Sequence, residues 1–101
     1  MKVRISESLI VWVHKWDLLL EYRNWRIHFY MSIPKEKLIE MKKRWITTTR
    51  WGNGGNIFKI VKGKERITLQ VEGISGGVDG SLTLTEKEFE KLIELAEEEE
   101  E

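Results

Sequence analysis

The chain has no cysteine and only one proline among its 101 residues. Without cysteine there are no disulfide staples and no thiolate metal ligands, so the fold rests on its apolar core alone. That usage suits an intracellular, cytoplasmic protein. No apolar run approaches the roughly 20 residues needed to span a bilayer, which argues against a membrane partner. A secretory leader is not expected either, because Glu7 and His14 interrupt the N-terminal apolar stretch and no small-residue cleavage site follows. Histidine is scarce, with only His14 and His28. A site built from His14, Asp17 and Glu21 matches no established metal-ligand spacing, and no metal or other cofactor is expected. Ser6 and Ser8 lack a nucleophile-elbow context. The carboxylates of the first 84 residues are scattered, so the reading leans away from an enzyme.

An apolar fraction of 41% with five tryptophans indicates a folded chain, and its length suits one domain with one core. The net charge of zero hides an uneven distribution. Residues 1–84 hold 15 Lys or Arg against 8 Asp or Glu, whereas residues 85–101 hold 2 against 9. A basic body of this kind attracts a polyanion, and an acidic end either competes for the same surface or keeps the chain soluble.

The first third reads as strand. Ile10, Trp12, His14 and Trp16 alternate with Val11, Val13 and Lys15, so both faces are partly apolar. After a break at Asp17, Leu18, Leu20 and Tyr22 alternate with Leu19 and Glu21. A turn at Arg23 and Asn24 leads to Trp25, Ile27, Phe29 and Met31, interleaved with Arg26, His28 and Tyr30. Pro34 opens a helix over about 34–45, in which Leu38, Met41 and Trp45 share a face. The spacing places Trp25 and Trp45 on apolar stripes and hence in the core. Residues 46–50 begin a short strand, and 51–56 form a glycine-rich loop.

A second hairpin follows, with arms at 57–62 and 66–72 and a turn around Gly63 and Lys64. Residues 73–80 form another glycine-rich connection, leading to a short strand at 81–84. Thr85 and Glu88 make a Thr-x-x-Glu capping box flanked by the staple pair Leu84 and Phe89, which starts a helix over about 86–98. Phe89, Leu92, Ile93 and Ala96 form its buried stripe, with Leu95 off that stripe and free for a strand edge or a second subunit. Residues 97–101 place like charges where the helix dipole disfavours anions, so a frayed acidic tail is expected. The expected architecture is one α+β domain over 1–101, an antiparallel curved sheet of about five to seven strands with two packed helices. The order of elements also allows a duplicated strand-strand-helix unit, although the two halves share little beyond pattern.

The functional signal is a mixture of rings and cations. Single strands of nucleic acid are held by aromatic side chains that stack on bases and by cations that follow phosphates. Arg26, His28 and Tyr30 project together from one strand face. The run from Arg50 to Asn56 joins a cation and Trp51 to a glycine-rich loop suited to closing over a flexible ligand, although it lacks the Gly-Lys-Ser/Thr ending of a P-loop. The expected site is Arg23, Arg26, His28, Tyr30, Lys43, Arg50, Trp51, Lys59, Lys62, Lys64 and Arg66, with Trp12 as a further stacking ring. The alternative is a protein-interaction module or small regulator. It would act as a homodimer through exposed Trp12, Trp16 or Leu95.

Two stretches carry a family resemblance. FKIVKGKERITLQV from Phe58 to Val71 and GSLTLTEKEFEKL from Gly80 to Leu92 together resemble the strand-strand-turn-strand-helix portion of the transcriptional-coactivator and Whirly type of single-stranded DNA-binding domains. The resemblance covers about 40 of the 101 residues. It implies a curved sheet that binds single-stranded DNA or melted duplex, a helix that backs the sheet and supports dimerisation, and backbone contacts from Lys59, Lys62, Lys64 and Arg66. The N-terminal aromatic hairpin, the basic middle helix and the glutamate tail depart from that pattern. Tryptophan and Lys/Glu usage also resembles that of small archaeal or viral single-stranded DNA-binding proteins of separate fold.

Overall fold

The computed structural model describes residues 1–53, 55–72 and 78–98. Four strands come first, β1 (Lys2–Arg4), β2 (Leu9–Val13), β3 (Asp17–Arg23) and β4 (His28–Pro34), then helix α1 (Lys35–Arg44). The pattern then repeats with β5 (Thr48–Asn53), β6 (Asn56–Lys62), β7 (Arg66–Glu72), β8 (Val78–Thr85) and helix α2 (Glu86–Glu97).

The strands form two separate four-stranded antiparallel sheets, A from β1–β4 and B from β5–β8, each ordered as in the chain. This corrects the expected single curved sheet of five to seven strands. Within each sheet every strand pairs with its chain neighbour, so pairing stays local. Helix α1 stands in the chain between β4 and β5, and these strands do not pair. Alternation in the sequence reveals strands but not which edges meet.

The two sheets are duplicates in register. In sheet A, Leu18, Leu20 and Tyr22 lie opposite Ile33, Met31 and Phe29. In sheet B, Ile67, Leu69 and Val71 lie opposite Leu84, Leu82 and Gly80. A helix follows at the next position in each half, after Pro34 and after Thr85. The repeated unit is therefore four strands and a helix, longer than a strand-strand-helix repeat. Inward-facing side chains of both units join α1 and α2 in one core, in which Leu9, Leu18, Leu20, Ile33, Leu38, Ile60, Leu69 and Leu92 are fully buried. The units also meet through their edge strands. Trp51 Nε1 donates to the Ser32 carbonyl at 3.1 Å, and the Phe29 ring lies 3.6 Å from where a side chain on Gly80 would begin.

The helix ends follow local chemistry. In α2 the Thr85 hydroxyl accepts from Glu88 N–H, and Glu88 carboxylate accepts from Thr85 N–H at 2.9 Å, completing the expected capping box. Helix α1 has no side-chain cap. It carries Glu36 in its first turn and Lys42, Lys43 and Arg44 in its last, signs that complement the helix dipole. It stops at Trp45, whose left-handed φ of 55° ends the helix.

Several sequence expectations change here. Trp25 and Trp45 are not core residues; they are the most exposed tryptophans, at 89% and 88%. Trp25 shares the phase of Phe29 and Met31 but precedes β4, and Trp45 lies past the last turn of α1. Leu95 is buried within the chain, so it is not free for a second subunit. Helix α2 extends to Glu97, which pairs with Lys42 at 2.8 Å, so the first residue of the expected tail is anchored. Residues 99–101 of that tail, and 73–77 of the second glycine-rich connection, lie outside the described residues.

Candidate nucleic-acid interface on the outward face of sheet A

Two rows of side chains cross sheet A on the face turned away from the core. One runs Lys2, Trp12, Leu19, Ser32 and the other Arg4, Ile10, Glu21, Tyr30. Trp12 is 38% exposed and Tyr30 50%, with Ile10 and Leu19 half-buried between them. The duplication supplies an internal comparison. The same register positions of sheet B read Thr48, Val61, Thr68, Thr83 and Arg50, Lys59, Gln70, Ser81. Apart from Val61 this outward face is polar, so the fold does not demand the rings of sheet A or the aliphatics Ile10 and Leu19.

The hairpin turns of sheet A add two more indoles. Residues 24–27 form the turn between β3 and β4, where Asn24 Oδ1 accepts from the N–H groups of Arg26 at 2.8 Å and Ile27 at 2.7 Å. The turn is therefore centred on Trp25 and Arg26, not on Arg23 and Asn24, and this placement leaves Trp25 in solvent. Trp16 occupies the β2–β3 connection and is 76% exposed. Each exposed indole of sheet A carries a cation over its ring. Lys2 Nζ is 5.3 Å from Trp12, Lys15 Nζ 5.1 Å from Trp16 and the Arg26 guanidinium 5.2 Å from Trp25. All three fall within the range of cation–π attraction.

Glu21 sits between Ile10 and Tyr30, with its side chain only 18% exposed. Its Oε2 lies 3.4 Å from His28 Nε2, and the His28 and Tyr30 rings are 4.3 Å apart. The Tyr30 hydroxyl first, and His28 second, hold the Glu21 carboxyl below its ordinary value. The same interaction raises Tyr30.

The sequence-derived site residues divide among several surfaces. Arg23, Arg26, His28 and Tyr30 gather at the β3–β4 end of sheet A. Arg50 and Lys59 lie opposite one another on the outward face of sheet B, where Arg66 begins β7 and Lys64 lies in the preceding turn. Arg50 is bonded to Glu72 at 2.8 Å. Lys43 stands apart on the last turn of α1. Trp51 is not the loop residue expected: it belongs to β5, is half-buried, and stacks on Phe58 at 5.8 Å. The expected loop over 51–56 is mostly strand, since β5 and β6 stay paired as far as Asn53 opposite Asn56. It is a tight hairpin, with Gly55 at a φ of 86°, and not a lid. Sequence reasoning missed Lys2, Lys15 and Trp25 as partners of this surface. Asn24 was the available signal, because Asn bonds backbone two residues on and so sets a turn tip.

A groove of about 580 Å³ lies elsewhere, where the ends of α1 and α2 meet the β6–β7 turn. Trp45, Lys42 and Lys62 line it, but so do Glu90, Glu94 and Glu97, and the excess of carboxylates does not suit a polyanion. Among the described residues no group of His, Asp and Glu is placed to hold a metal ion, and no helix is long and apolar enough to cross a membrane. No protein-family model, curated protein or solved structure matches the chain.

Proposed function

We propose that the protein binds single-stranded nucleic acid, DNA foremost, on the outward face of sheet A and its bordering turns. The observation that carries this reading is the cation held over each of the exposed indoles Trp12, Trp16 and Trp25. A base can stack on an indole while the neighbouring ammonium or guanidinium reaches the phosphate. Duplex bases offer no free ring face, which favours a single strand. The order β6, β7, β8, α2 also follows the strand-strand-turn-strand-helix run that resembles the coactivator and Whirly type of domain. That resemblance favours single-strand binding as the function but lies on sheet B, so it does not bear on the choice of sheet A.

Titrating the protein with an unstructured 15-nucleotide DNA while following tryptophan fluorescence tests the proposal. Quenching is expected, with affinity falling as salt rises by about 0.7 logarithmic units per phosphate contact and per logarithmic unit of salt. Absence of both quenching and any salt-sensitive change at low ionic strength would refute it.

A second reading has its own support. Ile10 and Leu19 are aliphatic, and such side chains suit a protein surface better than a base. In that reading the same face docks a protein, a second copy of the chain included. Solution mass decides whether a homodimer forms, and burial of Trp12 in it would favour this alternative.

A further inference from the structure

An anionic side chain at the centre of a surface for a polyanion works against phosphate binding unless it meets something other than phosphate. Glu21 is such a group. Its neighbours across the strands are Ile10 and Tyr30, and the corresponding position of sheet B holds the neutral Gln70. Low exposure beside apolar side chains strengthens any hydrogen bond that it accepts. His28 at 3.4 Å and Tyr30 across the strand help fix its orientation. Glu21 accepts and does not donate when ionised, with lone pairs left for a ligand beyond those facing His28 and Tyr30.

Resting on the reading that a single strand occupies this face, we infer that Glu21 selects guanine among the bases stacked there. Guanine presents N1–H and N2–H side by side on its Watson–Crick edge, two donors matching two carboxylate oxygens. Cytosine and adenine place one amino group beside a ring nitrogen acceptor. Thymine and uracil place one N–H between two carbonyls, which repel a carboxylate. In a single strand that edge is free to be read, and a bidentate pair is worth about tenfold or more in discrimination. Trp12 and Tyr30, next to Glu21 on the same face, supply rings on which the base stacks.

The test compares the whole protein binding to a 12-nucleotide thymidine strand and to strands with guanine or inosine at every third position. Inosine keeps N1–H but lacks the N2 amino group. The wild type is expected to bind the guanine strand about tenfold tighter than the thymidine strand, with most of that gain lost for inosine. Glu21→Gln is expected to cut the guanine preference below threefold while thymidine affinity holds or rises. Guanine and thymidine strands bound within twofold of one another would overturn this inference and leave single-strand binding standing. Binding to none of the strands would overturn both. If Glu21→Gln fails to fold, the inosine comparison on the wild type still decides, and equal affinity for guanine and inosine strands overturns the inference.

Discussion

Replacing Trp25 with alanine should separate stability from binding. The indole is 89% exposed, so folding hides about a tenth of its surface. For a side chain of about 250 Å² that is roughly 25 Å², or about 0.6 kcal/mol of burial. The exposed contact with Arg26, at 5.2 Å, adds about 0.5–1 kcal/mol at most. The total stays below about 2 kcal/mol. Phe89, only 1% exposed, stands in contrast, since its truncation should cost about 3–5 kcal/mol. In a domain of this length 1 kcal/mol moves Tm by about 4–8 °C, so Trp25→Ala should remain folded at room temperature. A stacked base is worth about 1–3 kcal/mol, so affinity for single-stranded DNA should fall by about 5- to 150-fold. The salt dependence should be unchanged, because no charge is removed. Thermal unfolding by circular dichroism and anisotropy titration at two salt concentrations measure both quantities. A folded variant that binds within twofold of wild type would refute the role given to the β3–β4 turn.

Thr85→Ala removes the capping hydroxyl of α2 and should cost about 1 kcal/mol, read as a Tm drop of about 4–8 °C. Two glycines should respond oppositely to alanine. Gly80 has only ordinary contacts, at 3.6 and 3.8 Å from the Phe29 ring, and Gly80→Ala should raise stability by about 0.4–1 kcal/mol. A side chain on Gly63 would start 3.0 Å from the Arg66 carbonyl, so Gly63→Ala should lower Tm. The Glu21 carboxyl is depressed when folded, so its stabilising contribution is present above the ordinary carboxylate pKa and is lost as pH falls through the folded value. Tyr30 is raised, so its contribution is present below the ordinary tyrosine pKa and is lost as pH rises through its folded value. NMR titration should place Glu21 below a reference glutamate and Tyr30 above a reference tyrosine, and Tyr30→Phe should move Glu21 back upward.

The elements were legible where local chemistry alone decides them. Thr85 and Glu88 mark the start of α2, and alternation in 66–72 marks β7, because capping and pleat depend on near neighbours. Tertiary arrangement was less legible. Trp25 continues the alternation of Phe29 and Met31, yet Asn24 turns the chain before β4 begins, and periodicity does not reveal where pairing stops. Trp45 continues the helical stripe of Leu38 and Met41, yet its left-handed backbone ends the helix. Trp51 precedes a glycine and resembled a loop residue, but pairing with Phe58 turns it to the core. The duplication was obscured because Leu18 and Ile67, or Met31 and Leu82, fill equivalent sites without being identical. Cores accept such exchanges when volume is kept. Of the candidate site, the row through His28 and Tyr30 was readable from strand period, whereas the cations of sheet B belong to a different face.

The indole N–H signals of the five tryptophans provide the most direct measurement, followed by NMR during titration with a short single-stranded DNA. Trp12, Trp16 and Trp25 should shift together and saturate at one affinity. Trp51, whose N–H is bonded to the Ser32 carbonyl, and Trp45, beside the acidic groove, should stay in place. Shifts confined to Trp45, or shifts of Lys59 and Gln70 with the sheet A indoles still, would contradict binding on sheet A.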